Sequence, residues 1–559
     1  MQHLDAELSG LLEVISSLSR QESFELADLE RLTGLYHQAV YLLTYVEGNA
    51  KYVNIGASLT VKAALLDDVE LRDRLASRVR ALMEETDPFP ERWAGAVNWF
   101  LQGPGQARAE AQIRVATGGV EDVFTRINRD RAVLLARLGL GDGADGDRDA
   151  LATVLHSVTN PTTRSKLLLA WHRVGETHAD ALAKAMDHLV DRRWRYVMTL
   201  GYRSVAERGF TSCGVSAETV RAFLDAYTDR ALHERRVFLS RFEGAGALDD
   251  TVRALDSLAR SREAGRVGRP TAVDLSTLLE FITDTVRRVF GITLSIQHGR
   301  GGTVGGFHVM RGTDALGTLA LDRAVAGASA RVLGSDSDPA VPECPRARVL
   351  CLMDRPDGSS ETVSFESARQ ILHAMGHALV HLVVRPRAPS VSGLDILPLE
   401  RLEGLSHWFE ELMDDPRFED RVAPTAGQQG ALKAFRQARD DQVRNTRLEQ
   451  VVVATIDLDI HERRGCRVRD AFDARIAAMG GPVGVSFERA VRFMAAPLFR
   501  DHPGMGFVYP WGMAFGASHA RAAAGERSPV RSLAAYFDPT TAISVPDAGA
   551  EGQVHRFAE

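Results

Sequence analysis

The sequence has few cysteines and no long run of basic residues, and each absence excludes a class of protein. The four cysteines lie far apart and form no C-x-x-C pair, so neither a disulfide scaffold nor a thiolate zinc site is encoded. Lysine and arginine are scattered among a slightly larger number of acidic residues, and the formal net charge is -7. This balance argues against a nucleic-acid partner. We therefore expect a protein of the reducing cytoplasm that does not bind nucleic acid.

Long hydrophobic runs are missing as well. No stretch reaches the length that crosses a bilayer, and the first residues, MQHLDAELSGLLEVISSLSRQE, have no basic start, apolar core or cleavage site. We therefore expect neither a signal sequence nor a membrane anchor. The 559 residues, 45% hydrophobic and 25% charged, have the length and composition of a globular protein with several domains.

The apolar residues that are present recur mostly three and four positions apart, which predicts helices. The pattern is clear between residues 5 and 259, for example in ADALAKAMDHLVDRRWRYVMTL. Two breaker-rich segments, GDGADGDRDA and SREAGRVGRPTA, predict boundaries that divide the chain into residues 1–150, 151–270 and 271–559. Short β-branched runs bounded by glycine between residues 292 and 353 predict a small sheet, and helices resume after Ser367.

Two histidines at helical spacing form the first candidate site. In ILHAMGHALVHLV, His373 and His377 are four residues apart, so a helix places both imidazoles on one face, where they can bind one zinc ion. The spacing is weak evidence by itself, because the 17 histidines of the chain produce roughly one such pair by chance. His381 lies about 12 Å from His373 along the helix axis, so it is interpreted as a packing residue or a partner of the ligands.

The segments around this helix resemble the thimet oligopeptidase and mitochondrial intermediate peptidase family of zinc metallopeptidases. The family's helix has the form H-E-x-G-H-A-L, and residues 373–379 read HAMGHAL, so Ala374 replaces the glutamate. The family's third zinc ligand is a glutamate on the next helix, and LEGLSHWFEE places Glu403 there, 26 residues after His377 (403 − 377 = 26). Glu410 matches a second glutamate of that pattern, which gives it a role beside the ligands. The resemblance extends over residues 160 to 511.

The resemblance implies a mainly helical (mainly α) fold, with two helical lobes around a deep substrate channel and a small β-sheet next to the zinc-binding helix. It also implies Zn2+ held by His373, His377 and Glu403, an arrangement that leaves a fourth tetrahedral position open for chemistry. The missing glutamate would act as the general base, and loss of a positioned base typically lowers a rate by about 10² to 10⁴. The chain is therefore expected to bind the metal and to hydrolyse peptides poorly, because Ala374 cannot accept a proton.

The C-terminal segment departs from the family pattern in a second place. The family has a histidine followed by a loop rich in glycine and tyrosine, whose phenols stabilise the developing oxyanion. Here DHPGMGFVYPWGMAFG retains His502 and one phenol, Tyr509, whereas the other tyrosine positions carry Phe507, Trp511, Gly512 and Ala514. Two separate losses favour natural divergence over an engineered glutamate-to-alanine substitution, and both histories stay open.

Each candidate also has a purely structural interpretation. Without the resemblance, His502 is equally a surface histidine before a Pro-Gly turn, and Glu403 and Glu410 are a solvated stripe along one helix face. The glycine-rich HGRGGTVGG lacks a phosphate-binding signature and predicts a hairpin loop. Asp457 and His461, one turn apart, are interpreted as a polar pair in the core.

These interpretations lead to one functional hypothesis and two alternatives. The hypothesis is a protein of the zinc metallo-oligopeptidase type that acts on short peptides or peptide-like metabolites, with hydrolysis impaired or replaced at Ala374. The first alternative is a non-catalytic pseudo-peptidase that binds peptides. The second is an engineered, inactive form of an active oligopeptidase. A short peptide or peptide-like small molecule is the expected partner in all three.

Overall fold

The chain divides into two compact units, each built from separate segments. The first unit consists of Met1–Ala107, Thr271–Ala426 and Gly512–Pro546, and the second consists of Arg108–Pro270, Gly427–Trp511 and Asp547–Glu559. The structure is a computed structural model, and it describes residues 69–85, 104–140, 160–213, 215–240, 273–298, 304–324, 332–338, 341–352, 362–383, 399–480, 484–496 and 502–525, with isolated positions between 10 and 32, between 151 and 158, and at 499. The predicted loops at 141–150 and 261–272 lie outside these residues, as does the tip of the predicted hairpin, 299–303.

Helices make up most of the described part of the chain, as the sequence predicts. In chain order they are α1 (Val69–Glu85), α2 (Pro104–Arg137), α3 (Pro161–Thr177), α4 (Ala179–Thr199), α5 (Val205–Cys213), α6 (Ala217–Ser240), α7 (Leu275–Phe290), α8 (Phe365–Val383), α9 (Leu399–Glu411), α10 (Pro416–Val422), α11 (Ala426–Glu462), α12 (Val468–Ala478), α13 (Phe487–Met494) and α14 (Val508–Gly525).

The described strands form two small sheets, both in the first unit. One pairs β1 (Val273–Asp274) with β7 (Thr362–Val363) in antiparallel register, with Val273 opposite Val363. The other contains β2 (Thr293–His298), β3 (Val304–Arg311), β4 (Asp314–Ala324), β5 (Val332–Asp338) and β6 (Val341–Leu352), in the order β2-β3-β4-β6-β5. Its neighbours are antiparallel except β4 and β6, which run parallel.

Several helices begin and end where the sequence supplies the appropriate cap. The Asp274 carboxylate accepts the backbone N–H of Thr277 at 2.9 Å and caps the start of α7. Gly291, with a φ of 64°, ends that helix in the left-handed conformation that glycine adopts without strain. The Ser364 hydroxyl accepts the backbone N–H of Ser367 at 3.1 Å and caps α8. Because β1 leads directly into α7 and β7 into α8, the β1–β7 pair holds the starts of these two helices side by side.

Helix α8, which carries His373 and His377, packs against β4, β6 and α9. The side chains that it buries include Ile371, Leu372, Met375, Leu379 and Leu382. Helix α7 adds the aromatic part of the same core, because Phe290 contacts Trp408 of α9 with ring centroids 5.7 Å apart. The prediction of a mainly helical fold with a small sheet beside the histidine helix is therefore confirmed.

The second unit has a separate core formed by α2, α4, α11 and α13, among other helices. Its buried side chains include Ile127, Leu182, Met186, Val190, Trp194, Val452, Ile456 and Phe487. Asp457 and His461 lie inside it with no exposed surface, and the Asp457 carboxylate is 2.9 Å from His461 Nδ1. The second Asp457 oxygen accepts the backbone N–H of Gly506 at 3.0 Å. The predicted polar core pair is confirmed.

None of the helices in the described part of the chain is both long enough and apolar enough to cross a membrane. Even the longest of them, α11 and α2, carry charged residues along their length.

Candidate metal centre

His373, His377 and Glu403 lie together in the first unit. The two histidines project from the same face of α8, and Glu403 projects toward them from α9. His373 Nε2 is 3.2 Å from His377 Nε2. Each of these nitrogens is 3.8 Å from an oxygen of the Glu403 carboxylate, Oε2 for His373 and Oε1 for His377. The three residues that the sequence singles out as ligands are therefore brought together.

These distances are those expected between ligands of one metal ion. Zinc binds imidazole nitrogen and carboxylate oxygen at about 2.0–2.1 Å, so the edge of an ideal tetrahedron of ligands is about 3.4 Å. The separations of 3.2 Å and 3.8 Å bracket that edge. Glu403 is only 8% exposed, and within the described residues its Oε2 has no hydrogen-bond partner. A buried carboxylate oxygen in this position fits a cation.

Glu410 orients His373 from the side away from Glu403. Its Oε1 is 2.7 Å from His373 Nδ1, and its Oε2 accepts a hydrogen bond from Arg369 Nη1 at 2.6 Å. A hydrogen bond at Nδ1 leaves Nε2 as the nitrogen available to a metal, which is how carboxylates commonly orient metal-binding histidines. The structure thus places Glu410 beside the proposed ligands, as the sequence resemblance implies.

A further histidine, His407, belongs to the same cluster although the sequence patterns did not single it out. It lies one turn after Glu403 on α9, with Nε2 3.9 Å from Glu403 Oε2 and Nδ1 3.5 Å from Glu410 Oε1. Its ring centroid is 5.3 Å from that of His373, compared with 4.9 Å between His373 and His377. The Glu403–His407 spacing of four is a helical signal of the same kind as His373–His377, so it was available in the sequence.

The protonation of these buried groups follows from their neighbours. Burial lowers the pKa of His377 to about 4, a shift that Glu403 only partly opposes. Burial alone would raise the pKa of Glu410, but Arg369 and His407 hold it well below its usual range. Burial also acts to lower the pKa of His407, but Glu410 and Glu403 together outweigh that effect and raise it. His377 is therefore neutral and Glu410 ionised at neutral pH, which suits a ligand and a residue that orients one.

Glycines allow the helices around the cluster to approach closely. A Cβ on Gly376 of α8 would lie 2.6 Å from the Cα of Ser406 on α9. A Cβ on Gly512 of α14 would lie 2.8 Å from the Glu403 Cβ, and one on Gly516 would lie 2.7 Å from the backbone nitrogen of Trp408. Helix α9 thus makes close contact with one glycine of α8 and with two glycines of α14. These contacts fix the position from which Glu403 and His407 project.

Ala374, which the sequence resemblance aligns with the family's general base, is 1% exposed. Its methyl group has no proton acceptor, so this position contributes no base. Gly512, one of the positions aligned with a family tyrosine, packs so closely on Glu403 that no side chain fits without displacing α9 or α14. Both departures from the family pattern therefore lie in tightly packed surroundings.

His502 and Tyr509 belong to the second unit. His502 is exposed, and its carbonyl accepts the backbone N–H of Met505 at 3.1 Å. The Tyr509 ring packs against Phe493 and Phe499, with centroid separations of 6.1 Å and 5.9 Å. Their proposed roles in oxyanion stabilisation stay predictions. His381 lies on α8, and its side chain is outside the described residues.

Comparison with solved structures gives similar folds among peptidases. A protein assigned as oligoendopeptidase F aligns with a TM-score of 0.53 and 12% identity, over 99% of this chain and 94% of that chain. PZ peptidase A in complex with an inhibitor aligns with a TM-score of 0.52 and 11% identity, over 98% of this chain and 95% of that chain. No family model matches the sequence, and no curated protein does. At such low sequence identity these alignments show a shared fold and nothing finer. The resemblance inferred from the sequence is therefore confirmed only as a fold that is also found in peptidases.

Proposed function

We propose that this protein binds one zinc ion through His373, His377 and Glu403 and acts on short peptides or peptide-like small molecules, as a member of the thimet oligopeptidase type. In this proposal peptide hydrolysis is impaired or replaced because Ala374 stands at the general-base position. The observation that carries the proposal is the convergence of the three side chains, 3.2–3.8 Å apart, on a fold shared with peptidases.

The charges of the cluster support a divalent cation. Glu403 and Glu410 supply two buried carboxylates, and among the cluster residues Arg369 alone carries a permanent positive charge. Buried charges are normally paired or coordinate a metal. A zinc ion held here would supply Lewis acidity that polarises a carbonyl group. Nitrogen and carboxylate ligands at these spacings are the donor set that zinc prefers.

Each residue of the site has its own role in this proposal. His373, His377 and Glu403 hold the metal, Glu410 fixes the ring of His373, and Arg369 fixes Glu410. What is missing is a group at position 374 that accepts a proton and returns it to a leaving amine. Activity on peptides is therefore expected to be about 10² to 10⁴ lower than with a positioned base.

Metal analysis combined with a peptide assay tests the proposal. Purified protein incubated with Zn2+ and desalted is expected to retain close to one ion per chain, and a variant with His373→Ala and His377→Ala is expected to retain none. His308→Gln, an exposed histidine on β3, is the matched control. A wild-type protein that stays metal-free, or a double variant that keeps its zinc, would contradict the proposal.

A non-catalytic peptide-binding protein is the second candidate, and Ala374 favours it because no proton acceptor stands at that position. The two candidates differ in turnover. The first predicts a peptide product that depends on bound metal, and the second predicts saturable peptide binding without product. Digestion of a peptide mixture followed by mass spectrometry, beside calorimetric titration with the same peptides, separates them.

A further inference from the structure

A closely packed turn in the second unit, residues 502–507, leads into α14. A Cβ on Gly506 would overlap the Phe499 ring. A Cβ on Gly504, whose φ is 83°, would lie 2.9 Å from the Cα of Ala206 on α5. Both positions therefore require glycine, and the backbone of the turn lies directly against α5 and the Phe499 ring.

A buried chain of hydrogen bonds reaches this turn from α4 and α11. One oxygen of the Asp457 carboxylate accepts the backbone N–H of Gly506 at 3.0 Å, and the other is 2.9 Å from His461 Nδ1. On the other side of the imidazole, Arg193 Nη1 is 3.2 Å from His461 Nε2. Arg193 Nη2 donates to the Phe499 carbonyl at 3.3 Å. The chain thus connects the residue that precedes the turn with a residue inside it.

The partners of His461 determine where its proton lies. A guanidinium can only donate, so His461 Nε2 accepts from Arg193, and His461 Nδ1 carries the proton and donates to Asp457. The imidazole is therefore neutral. Burial lowers the pKa of His461, an effect that Asp457 opposes and Arg193 reinforces. Among the described residues, the charged groups that face this ring are Asp457 on its own helix and Arg193 on α4.

We infer that Arg193, His461 and Asp457 form an acid-sensitive clamp on the 502–507 turn. A protonated His461 has an N–H at Nε2, which points at a guanidinium that cannot accept it. Two adjacent buried cations repel each other, so protonation separates the imidazole from Arg193 and breaks the chain that holds the turn. The turn is held while His461 is neutral and is released in acid.

The clamp goes beyond the proposed function, because none of its three residues belongs to the candidate metal centre. It controls the position of His502, which lies on the turn, and of Tyr509, which begins α14 and whose ring centroid is 5.9 Å from that of Phe499. Both side chains move when the turn is released. Any contribution that they make to peptide binding or turnover is therefore lost in acid.

Amide hydrogen exchange of residues 502–507, measured by mass spectrometry and corrected for the intrinsic effect of pH, tests the clamp. Peptides from α2 in the same sample are the internal reference for global unfolding. In the wild-type protein the turn is expected to be protected at neutral pH. Protection should fall by about 10-fold or more as the pH decreases from 6.5 through the lowered pKa of His461, because a hydrogen bond to a charged group contributes at least that much to an opening equilibrium.

Two substitutions of His461 isolate its part. His461→Gln keeps one donor and one acceptor but cannot be protonated, so its turn is expected to stay protected over the same pH range. His461→Leu has neither group, and its turn is expected to exchange rapidly at every pH. His188→Leu, at an exposed histidine of α4, is the control and should behave as the wild-type protein does.

Three outcomes would overturn the clamp. The first is a wild-type turn that is unprotected at neutral pH, or whose protection does not change in acid, and this result requires no variant to fold. The second is an equal loss of protection in acid for the wild-type protein and His461→Gln. The third is exchange in His461→Gln as rapid as in His461→Leu at neutral pH. A protein that binds no zinc would overturn the proposed function and leave the exchange measurement decisive for the clamp.

Discussion

Gly376 and Ser406 are in direct contact where α8 and α9 cross. A Cβ on Gly376 would lie 2.6 Å from the Ser406 Cα and 3.0 Å from its backbone nitrogen, distances that no side chain tolerates without movement of a helix. The glycine lies between His373 and His377, and the serine lies between Glu403 and His407. This close contact of the two helices is therefore at the level of the candidate metal site.

The first prediction is that Gly376→Ala weakens both metal binding and the fold. The added methyl group pushes α9 away from α8, so Glu403 moves relative to the two histidines. Overpacking of this kind costs about 1–3 kcal/mol of stability, and a misplaced ligand helix is expected to reduce zinc affinity by about 10-fold or more. Chelator competition measures the affinity, and chemical unfolding of the metal-free protein measures the stability.

Gly119→Ala is the matched control for this substitution. Gly119 also lies inside a helix, α2, but an added Cβ would meet nothing within 4 Å. Alanine is favoured over glycine in a helix by about 0.5–1 kcal/mol, so this variant is expected to be slightly stabilised with unchanged zinc affinity. If Gly376→Ala bound zinc as tightly as Gly119→Ala, the close contact would not be what positions the ligands.

The second prediction concerns Glu410. Its carboxylate accepts a hydrogen bond from Arg369, and its Oε1 lies 2.7 Å from His373 Nδ1. Glu410→Gln keeps the size of the side chain but removes the charge that holds the ring of His373. Zinc affinity is expected to fall by about 10- to 100-fold, the range typical of residues that orient a metal-binding histidine. Glu280→Gln, which removes a surface ion pair with Arg421, should leave the affinity unchanged. An unaltered affinity in Glu410→Gln would show that His373 needs no such support.

The sequence predicts the histidines and glutamates of the candidate metal site only in part, and His407 shows why. His373, His377 and Glu403 follow from helical spacing and from the family pattern, which also leads to Glu410. The family pattern specifies no functional residue at the position of His407, so the resemblance does not predict that His407 belongs to the site. The spacing of four places His407 on the same face of α9 as Glu403, but whether that face meets His373 depends on the packing of α8 on α9.

The fold was predictable where the sequence signal is local. Apolar residues at helical spacing and glycine-bounded β-branched runs predict the helices and the strands of the small sheet, and both are present. The contact of Gly512 with Glu403 has no such signal, because the two residues are 109 positions apart (512 − 403 = 109). In the sequence, Gly512 is noticeable only because the resemblance aligns it with a tyrosine of the family loop. In the structure it is the point at which α14 meets the helix that carries the ligands.

The third prediction concerns acid stability of the second unit. Glu488 accepts hydrogen bonds from Arg131 at 2.8 Å and from Arg492 at 2.9 Å. Burial alone would raise the pKa of Glu488, but Arg131 and Arg492 lower it to about 2 from the ordinary value of 4.5. Because the pKa is lowered on folding, the stabilisation is fully present above pH 4.5 and is lost as the pH falls through about 2.

Glu488→Gln is therefore expected to lower the free energy of unfolding at pH 7 by about 3 kcal/mol, because it removes this stabilisation and leaves the Arg131 guanidinium buried without a carboxylate. The difference between wild type and variant should shrink as the pH is lowered from 4.5 toward 2. Urea unfolding across this range measures it. Asp473→Asn, at an exposed ion pair with Arg469, should have little effect at any pH. A difference that stays constant with pH would contradict the lowered pKa.

The last prediction concerns restoring the general base. Ala374→Glu places a carboxylate next to His373, at a position that is now 1% exposed. If only the base were missing, as in an engineered inactive form, this single change should raise peptide cleavage by about 10² or more. If the chain diverged naturally, Ala374→Glu alone should gain little, because the loop that the resemblance aligns with the family's tyrosine-rich loop keeps one phenol, Tyr509, and each lost oxyanion donor costs about 10² to 10³.

Mass spectrometry of a peptide mixture digested with Ala374→Glu and with the wild-type protein, at equal zinc content, separates these two histories. His308→Gln, which changes an exposed histidine on β3, is the control and should cleave no faster than the wild-type protein. A small gain in Ala374→Glu at full zinc content supports natural divergence. Efficient cleavage by Ala374→Glu would overturn natural divergence and support an engineered, inactive form.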